Sequence, residues 1–298
     1  MTADSASRSS PASPTRVVSL TGAALLAFAL NSLLCRAALG NRLIDPQTFT
    51  LVRLGSGAAA LWLLSRISGE ARTSGVGRTL FRFLSPISLF VYALGFSLAY
   101  TNLSAGTGAF VVFCCVQVTM IGSDLLRGFG LRGREIAGLA LALSGLAWLT
   151  RPGAESPDLR AVGLMALAGL AWGVYSLRGR TSGPPLLATS ANFMAATPLA
   201  LLASLASMPS FRVTSQGLAL AAISGAITSG LGYVAWYAAL PSLTATRASI
   251  LQLAVPPLAA AMGVFLLGET LSPRLRVAAP LILGGIALAI SNRGRARD

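Results

Sequence analysis

Arg151-Pro-Gly-Ala-Glu-Ser-Pro-Asp-Leu-Arg160 is a charged, proline-broken connector in an otherwise apolar chain. Five apolar stretches precede it, at about 17–40, 46–65, 83–102, 106–126 and 136–151. Five follow it, at about 161–177, 186–207, 216–239, 244–267 and 275–291. Most approach the ~20 residues that a helix needs to cross a hydrocarbon core. Five is odd, so a second copy of such a unit enters a bilayer upside down relative to the first. The chain therefore reads as an all-α membrane protein of ten transmembrane helices in two inverted five-helix repeats, over 17–151 and 161–292. Inverted pairs of this kind build secondary transporters with a site near the midplane. Residues 1–16, rich in Ser, Pro and Ala, have no apolar period and are expected to form a disordered cytoplasmic tail.

The repeat is visible in the residues. Ala27-Phe-Ala-Leu-Asn-Ser32 resembles Ala171-Trp-Gly-Val-Tyr-Ser176, and Ala99-Tyr-Thr-Asn-Leu-Ser104 resembles Trp236-Tyr-Ala-Ala-Leu-Pro241. Leu141-Ala-Leu-Ser-Gly145 lines up with Leu281-Ile-Leu-Gly-Gly285. The three matches keep the same order at similar offsets.

The net charge of +14 comes from 23 basic residues, all arginine, against nine acids, with no histidine. The arginines sit in connectors between apolar spans. That is topogenic charge at a membrane surface, not a nucleic-acid stripe. With the N-terminus in the cytoplasm, fifteen arginines fall inside and six outside, while Arg36 and Arg53 lie within spans. Both termini are therefore expected inside a bacterial inner membrane. Cys35, Cys114 and Cys115 lie in apolar spans and imply no disulfide framework. The first span is too long for a secretory leader and lacks a small-x-small cleavage site, so it is expected to stay as an anchor.

Three segments carry a resemblance. Thr246-Arg-Ala-Ser-Ile-Leu-Gln-Leu-Ala-Val-Pro-Pro-Leu-Ala-Ala260 is followed by Leu266-Leu-Gly-Glu-Thr-Leu-Ser272 and Leu281-Ile-Leu-Gly-Gly-Ile-Ala287. Together they resemble the drug/metabolite transporter superfamily, EamA type. Arg42-Leu-Ile-Asp-Pro-Gln-Thr-Phe-Thr-Leu-Val-Arg-Leu54 further resembles the YddG branch of bacterial amino-acid exporters. The resemblance implies ten helices in two inverted halves and export of amino acids, aromatic ones foremost. The first half departs from the pattern: Val118-Thr-Met120 stands where the ninth span has Val255-Pro-Pro257, so a kink expected there is missing.

The acids Asp4, Asp45, Glu70, Asp124, Glu135, Glu155, Asp158, Glu269 and Asp298 fall in tails, connectors or span ends. With no histidine either, the midplane holds no side chain that relays protons near neutral pH. This argues for a uniporter of a neutral or zwitterionic solute. It argues against an intramembrane enzyme or metal centre, which needs such groups as bases or ligands. No cofactor is implied, and both a monomer and a dimer fit the span count.

Polar and aromatic residues recur within spans at helical spacing. Tyr92, Phe96 and Tyr100 form one stripe, and Phe110, Cys114 and Gln117 another. Trp172, Tyr175 and Ser176 mark the sixth span, Tyr233, Trp236 and Tyr237 the eighth, and Ser249, Gln252 and Pro256 the ninth. An amide in hydrocarbon is costly unless paired or wet. Asn31, Asn102, Gln117, Asn192 and Gln252 are therefore expected to face the bundle interior. The candidate substrate-binding residues are Gln117, Trp172, Tyr100, Asn102, Tyr175, Trp236 and Gln252. Aromatic walls with a few amides suit a flat apolar side chain carrying a polar head. The plainer alternatives are an interface belt for Tyr100 and Tyr237 and interhelical glue for the amides.

Arg36 and Arg53 read first as snorkelling side chains or partners of Asp45, and second as a lure for a substrate carboxylate near the outer mouth. Pro256-Pro257 is the hinge candidate, and Glu269 reads as a structural cap or ion pair. Taken together, the residues point to an alternating-access exporter of amino acids and related metabolites. The rival readings are efflux of flat organic cations through the same cavity, and a membrane scaffold or sensor that transports nothing.

Overall fold

The structure is a computed structural model and describes residues 14–68, 79–126, 133–150, 157–179, 183–207, 211–243, 248 and 251–290. These residues form helices α1 (Pro14–Gly40), α2 (Pro46–Ile67), α3 (Thr79–Ala99), α4 (Ala105–Leu126), α5 (Gly133–Thr150), α6 (Leu159–Gly179) and α7 (Pro185–Ala206). Then come α8 (Ser215–Ile223), a π-helical run (Ser224–Leu231), α9 (Gly232–Ala239) and a 3-10 turn (Leu240–Ser242), followed by α10 (Val255–Leu267) and α11 (Pro273–Ile290). Six runs are long and apolar enough to cross a bilayer: Pro14–Gly40, Pro46–Ile67, Ala105–Ser123, Leu159–Gly179, Pro185–Ala206 and Ser215–Ser242. Phe83–Ala99, Ile136–Gly145 and Val255–Leu267 are shorter apolar helices. Leu26, Trp62, Leu202 and Phe265 project from the bundle surface, as side chains in contact with lipid would.

Five helices begin with a side-chain cap. Asp45 accepts from Thr48 N (2.8 Å), Ser104 from Thr107 N (3.3 Å) and Asp158 from Ala161 N (3.4 Å). Thr214 accepts from Gly217 N (3.0 Å) and Ser272 from Leu275 N (3.1 Å). Each oxygen satisfies a backbone donor that the helix leaves orphaned, an effect of about 1 kcal/mol. The capped starts of α2, α4, α6, α8 and α11 lie at one end of the bundle, where their connectors clasp one another. Asp45 N donates to Arg212 O (2.8 Å) and Thr214 N to Leu43 O (2.9 Å). Asn102 Nδ2 donates to Asp158 Oδ2 (2.6 Å), and this contact holds that carboxyl below its ordinary range. Arg36 Nε donates to Glu269 Oε1 (2.9 Å), while Glu269 Oε2 accepts from Ala105 N (2.9 Å) at the start of α4. Glu269 is thus an ion-pair partner and cap, and its partner Arg36 reaches it rather than Asp45.

The packing has an exchange pattern. α2 lies along α7, and α5 along α11. α3 and α4 both pack on α6, just as α8, α9 and α10 pack on α1. α2 meets the π-helical run, and α7 meets α3. These close approaches need small residues. A Cβ at Gly225 would strike the Arg53 carbonyl and Ser56 Oγ; one at Gly169 would strike the Val112 carbonyl.

Two expectations are corrected here. Tyr100 and Asn102 lie in the turn after α3, not within a span. The stretch expected as one helix over 244–267 is interrupted: Leu253–Ala254 is a turn, and α10 starts at Val255 with a proline in its first two positions. At a helix start the missing N–H is no loss and the fixed φ is helical, so the proline pair begins a helix instead of bending one. α4, which has no prolines, runs unbroken.

The packing generates a direct test. Gly225→Ala should lower unfolding stability in detergent by about 1–3 kcal/mol, because the backbone it meets cannot move aside. Gly163→Ala, on α6 with open space around it, should be neutral or stabilising by up to about 1 kcal/mol. Thermal unfolding followed by intrinsic fluorescence compares the two.

Candidate functional site

The rings gather where α1, α3, α6 and α9 meet. Trp172 of α6 is the centre, with ring centroids 4.7 Å from Tyr233, 5.0 Å from Tyr92, 5.3 Å from Phe28 and 5.5 Å from Tyr175. Phe28 also touches Trp236 edge-on at 5.7 Å. Tyr175 stacks on Tyr237 at 5.1 Å, and the Tyr237 hydroxyl donates to the Tyr175 carbonyl (3.1 Å). Trp172 Nε1 donates to Gln252 Oε1 (3.0 Å), and Gln252 Nε2 to Ala248 O (3.3 Å). An indole and an amide, both buried, thus satisfy each other across the cluster. A small cavity of about 10 Å³, room for one water, lies among Phe28, Ser32, Tyr92, Phe96, Val112, Phe113 and Trp172.

Beside the rings runs a polar seam. Asn31 Oδ1 accepts from Ser224 (2.7 Å) and Thr228 (3.1 Å), hydroxyls on the π-helical run. The same run offers Ser229 Oγ to Arg53 Nε (2.8 Å). The Arg53 guanidinium is fully buried, 1% exposed, and its Nη2 donates to Tyr233 Oη (2.8 Å) and more distantly to Tyr92 Oη (3.4 Å). Its Cζ lies over the rings of Tyr92 (5.3 Å) and Phe96 (5.4 Å). Nη1 has no partner among the described residues, and neither has Trp236 Nε1. Asp45, the expected partner of Arg53, is turned away to cap α2 and to accept from Arg212 N (3.3 Å). A π-helical run carries one extra residue per turn, which brings Ser224, Thr228 and Ser229 together onto one face.

Of the expected site residues, Trp172, Gln252, Tyr175 and Trp236 come together in or against this cluster. Tyr100 continues the Tyr92–Phe96 row, with centroids 4.7 Å from Phe96, and its hydroxyl donates to Ala105 O (3.3 Å). It closes the capped end of the bundle. Asn102 is exposed and bonded to Asp158, so the interior position expected for it is corrected. Gln117 is buried on α4 but does not line the cavity; Val112 and Phe113 of that helix do. Phe110, expected on the same stripe, instead lines an apolar groove against Pro257, Ala260 and Leu275. Ser249 lies outside the described residues. Reading by stripes passed over Phe28 and Ser229. A charged residue mid-span with no acid within a helical turn was the signal available for Arg53.

Chemically, the site offers flat apolar walls, hydroxyls and one uncompensated cation. Among the described residues it holds no carboxylate and no arranged nucleophile and base, and the groups present are those that bind a solute.

Known proteins resemble this chain as follows. The EamA-like transporter family matches residues 159–291, the half that carries Trp172, Trp236 and Gln252. A Pseudomonas aeruginosa protein of uncharacterized function is 49% identical over 94% of this chain and 97% of its own length. An uncharacterized transporter of Archaeoglobus fulgidus is 24% identical over 68% of this chain and 74% of its own. A Streptantibioticus cattleyicolor protein named "probable terminal-alkyne amino-acid exporter" is 22% identical over 84% of this chain and 86% of its own. A solved crystal structure superposes with a TM-score of 0.71 at 19% identity, covering 95% of this chain and all of that one, which shows a shared fold. The chain belongs to the EamA-like transporter family and is a membrane transporter.

Proposed function

We propose that the protein exports amino acids, aromatic ones foremost, and related small metabolites across the bacterial inner membrane by alternating access. The observation that carries this reading is the aromatic enclosure around Trp172, closed by the Trp172–Gln252 hydrogen bond. Flat walls select a flat apolar side chain, and amide and hydroxyl groups receive its polar head. The exporter name of the Streptantibioticus relative supports the substrate class.

The exchange pattern in helix packing supports ten spans in two inverted five-helix halves, 17–151 and 161–292. In that arrangement the capped, clasped end faces outward and both termini face the cytoplasm, in keeping with the arginine bias. A cavity that admits only one water means that a substrate enters by moving helices apart. The π-helical run and the interrupted start of α10 are two places where the regular α-helical ladder is already interrupted. Trp172 and Gln252, one on each side of the cluster, then act as substrate-binding residues, with Tyr175 and Trp236 as walls. Gln117 and Tyr100 border the site, and Asn102 belongs to the outer clasp.

Counterflow in proteoliposomes across the amino acids is the test. Trp172→Ala and Gln252→Ala should each lower flux of the preferred substrate by about tenfold or more, the loss of one aromatic wall or one polar anchor. Asn102→Ala should leave it within about twofold. Flux unchanged by both cluster variants would refute the site. An imposed pH gradient should leave the initial rate unaltered, because the spans hold no histidine and no mid-span carboxylate; strict coupling to that gradient would refute uniport.

A further inference from the structure

We propose that Arg53 anchors the carboxylate of the transported solute, so that the site takes flat organic acids and amino acids and refuses their amides. This names the substrate chemistry of the site and rests on its reading as the transport site.

A guanidinium carries five donors and a charge that is never lost. Hydroxyls of Ser229, Tyr233 and Tyr92 take up two of its nitrogens, but they are neutral and leave the charge uncompensated. Each acid whose side chain the structure describes is engaged elsewhere: Asp45 at the α2 cap, Asp158 with Asn102, and Glu269 with Arg36. A buried cation without a counter-charge is a costly feature, and such residues within a membrane mark substrate paths. Three groups of the cluster have no partner among the described residues: Arg53 Nη1 and Trp236 Nε1, which can only donate, and the Tyr175 hydroxyl, which can donate or accept. An acceptor-rich anion is the ligand that satisfies an uncompensated cation with a free donor. Tyr92 and Phe96 stand between the guanidinium and the cavity and contact both. An aromatic solute that displaces the Tyr92 ring would lie on Trp172 with its carboxylate on Nη1. The same charge repels the organic cations of the rival reading.

Matched ligand pairs test the proposal on the full-length protein in nanodiscs, with tryptophan fluorescence as the readout. The pairs are 3-phenylpropanoate with 3-phenylpropanamide, L-phenylalanine with its amide, and hexanoate with hexanamide. Each bound acid should bind about tenfold or more tighter than its amide, the scale of one charge-assisted contact. Arg53→Gln should bring that ratio to within about twofold, and Arg53→Lys should keep part of it, having the charge without the fork. Amides that bind the wild type as well as acids, or a folded Arg53→Gln that keeps the preference, would overturn the anchor while the aromatic site stands. If Arg53→Gln does not fold, the wild-type ratios decide. Preference for hexanoate with both aromatic pairs silent would support the anchor and remove the aromatic specificity instead. Silence of all six compounds would overturn both.

Discussion

A guanidinium at the centre of an apolar bundle has no water to turn to, and the surrounding structure is arranged around that fact. Arg53 comes from α2, yet its donors are met by Ser229 of the π-helical run and by tyrosines of α3 and α9. One side chain therefore ties four segments together. The seam it heads continues through Ser229, Thr228 and Ser224 to Asn31 of α1. Lipid supplies no hydrogen bonds, so polar groups within the spans must find one another, and the places where they do so mark the interior.

The backbone follows the same logic. For Arg53 to meet Ser229, α2 and the π-helical run must come nearly into backbone contact, and Gly225 and Gly57 leave the space. An ordinary α-helix would spread Ser224, Thr228 and Ser229 over a wider arc; the π-helical turns bring all three hydroxyls to Asn31 and Arg53. At the opposite extreme, the capped end is held by exposed or half-buried polar contacts such as Arg36–Glu269 and Asn102–Asp158. These are individually weak in water.

Much of this was legible residue by residue. The Tyr92–Phe96–Tyr100 row follows from helical spacing alone, and its rings do touch in sequence, tilted at Tyr92–Phe96 and edge to face at Phe96–Tyr100. Gln252 was marked by the expense of an amide in hydrocarbon and Trp172 by its place among the aromatics within spans, and each turned out to satisfy the other. Asn102 obeyed a different rule, because a residue three positions past the end of α3 has water and Asp158 within reach. The α4 stripe failed for another reason. Spacing shows which residues share a face but not which neighbour that face meets, so Phe110 went to the groove beside α10 and α11 while Val112 and Phe113 met the cluster.

By itself, the sequence determined that the chain is helical and apolar, about where its apolar spans lie, and which polar side chains needed partners. Those properties depend on single residues and their near neighbours, and the cost of burying a polar group in lipid is the same whatever the fold. Only the tertiary structure decided which partners were found. It gave Arg36 to Glu269 instead of Asp45, left Arg53 without an acid, and turned a proline pair from a kink into a helix start. Such choices depend on which helices come within a few ångströms of one another, and that is set by the packing of the whole bundle and by no single segment of it.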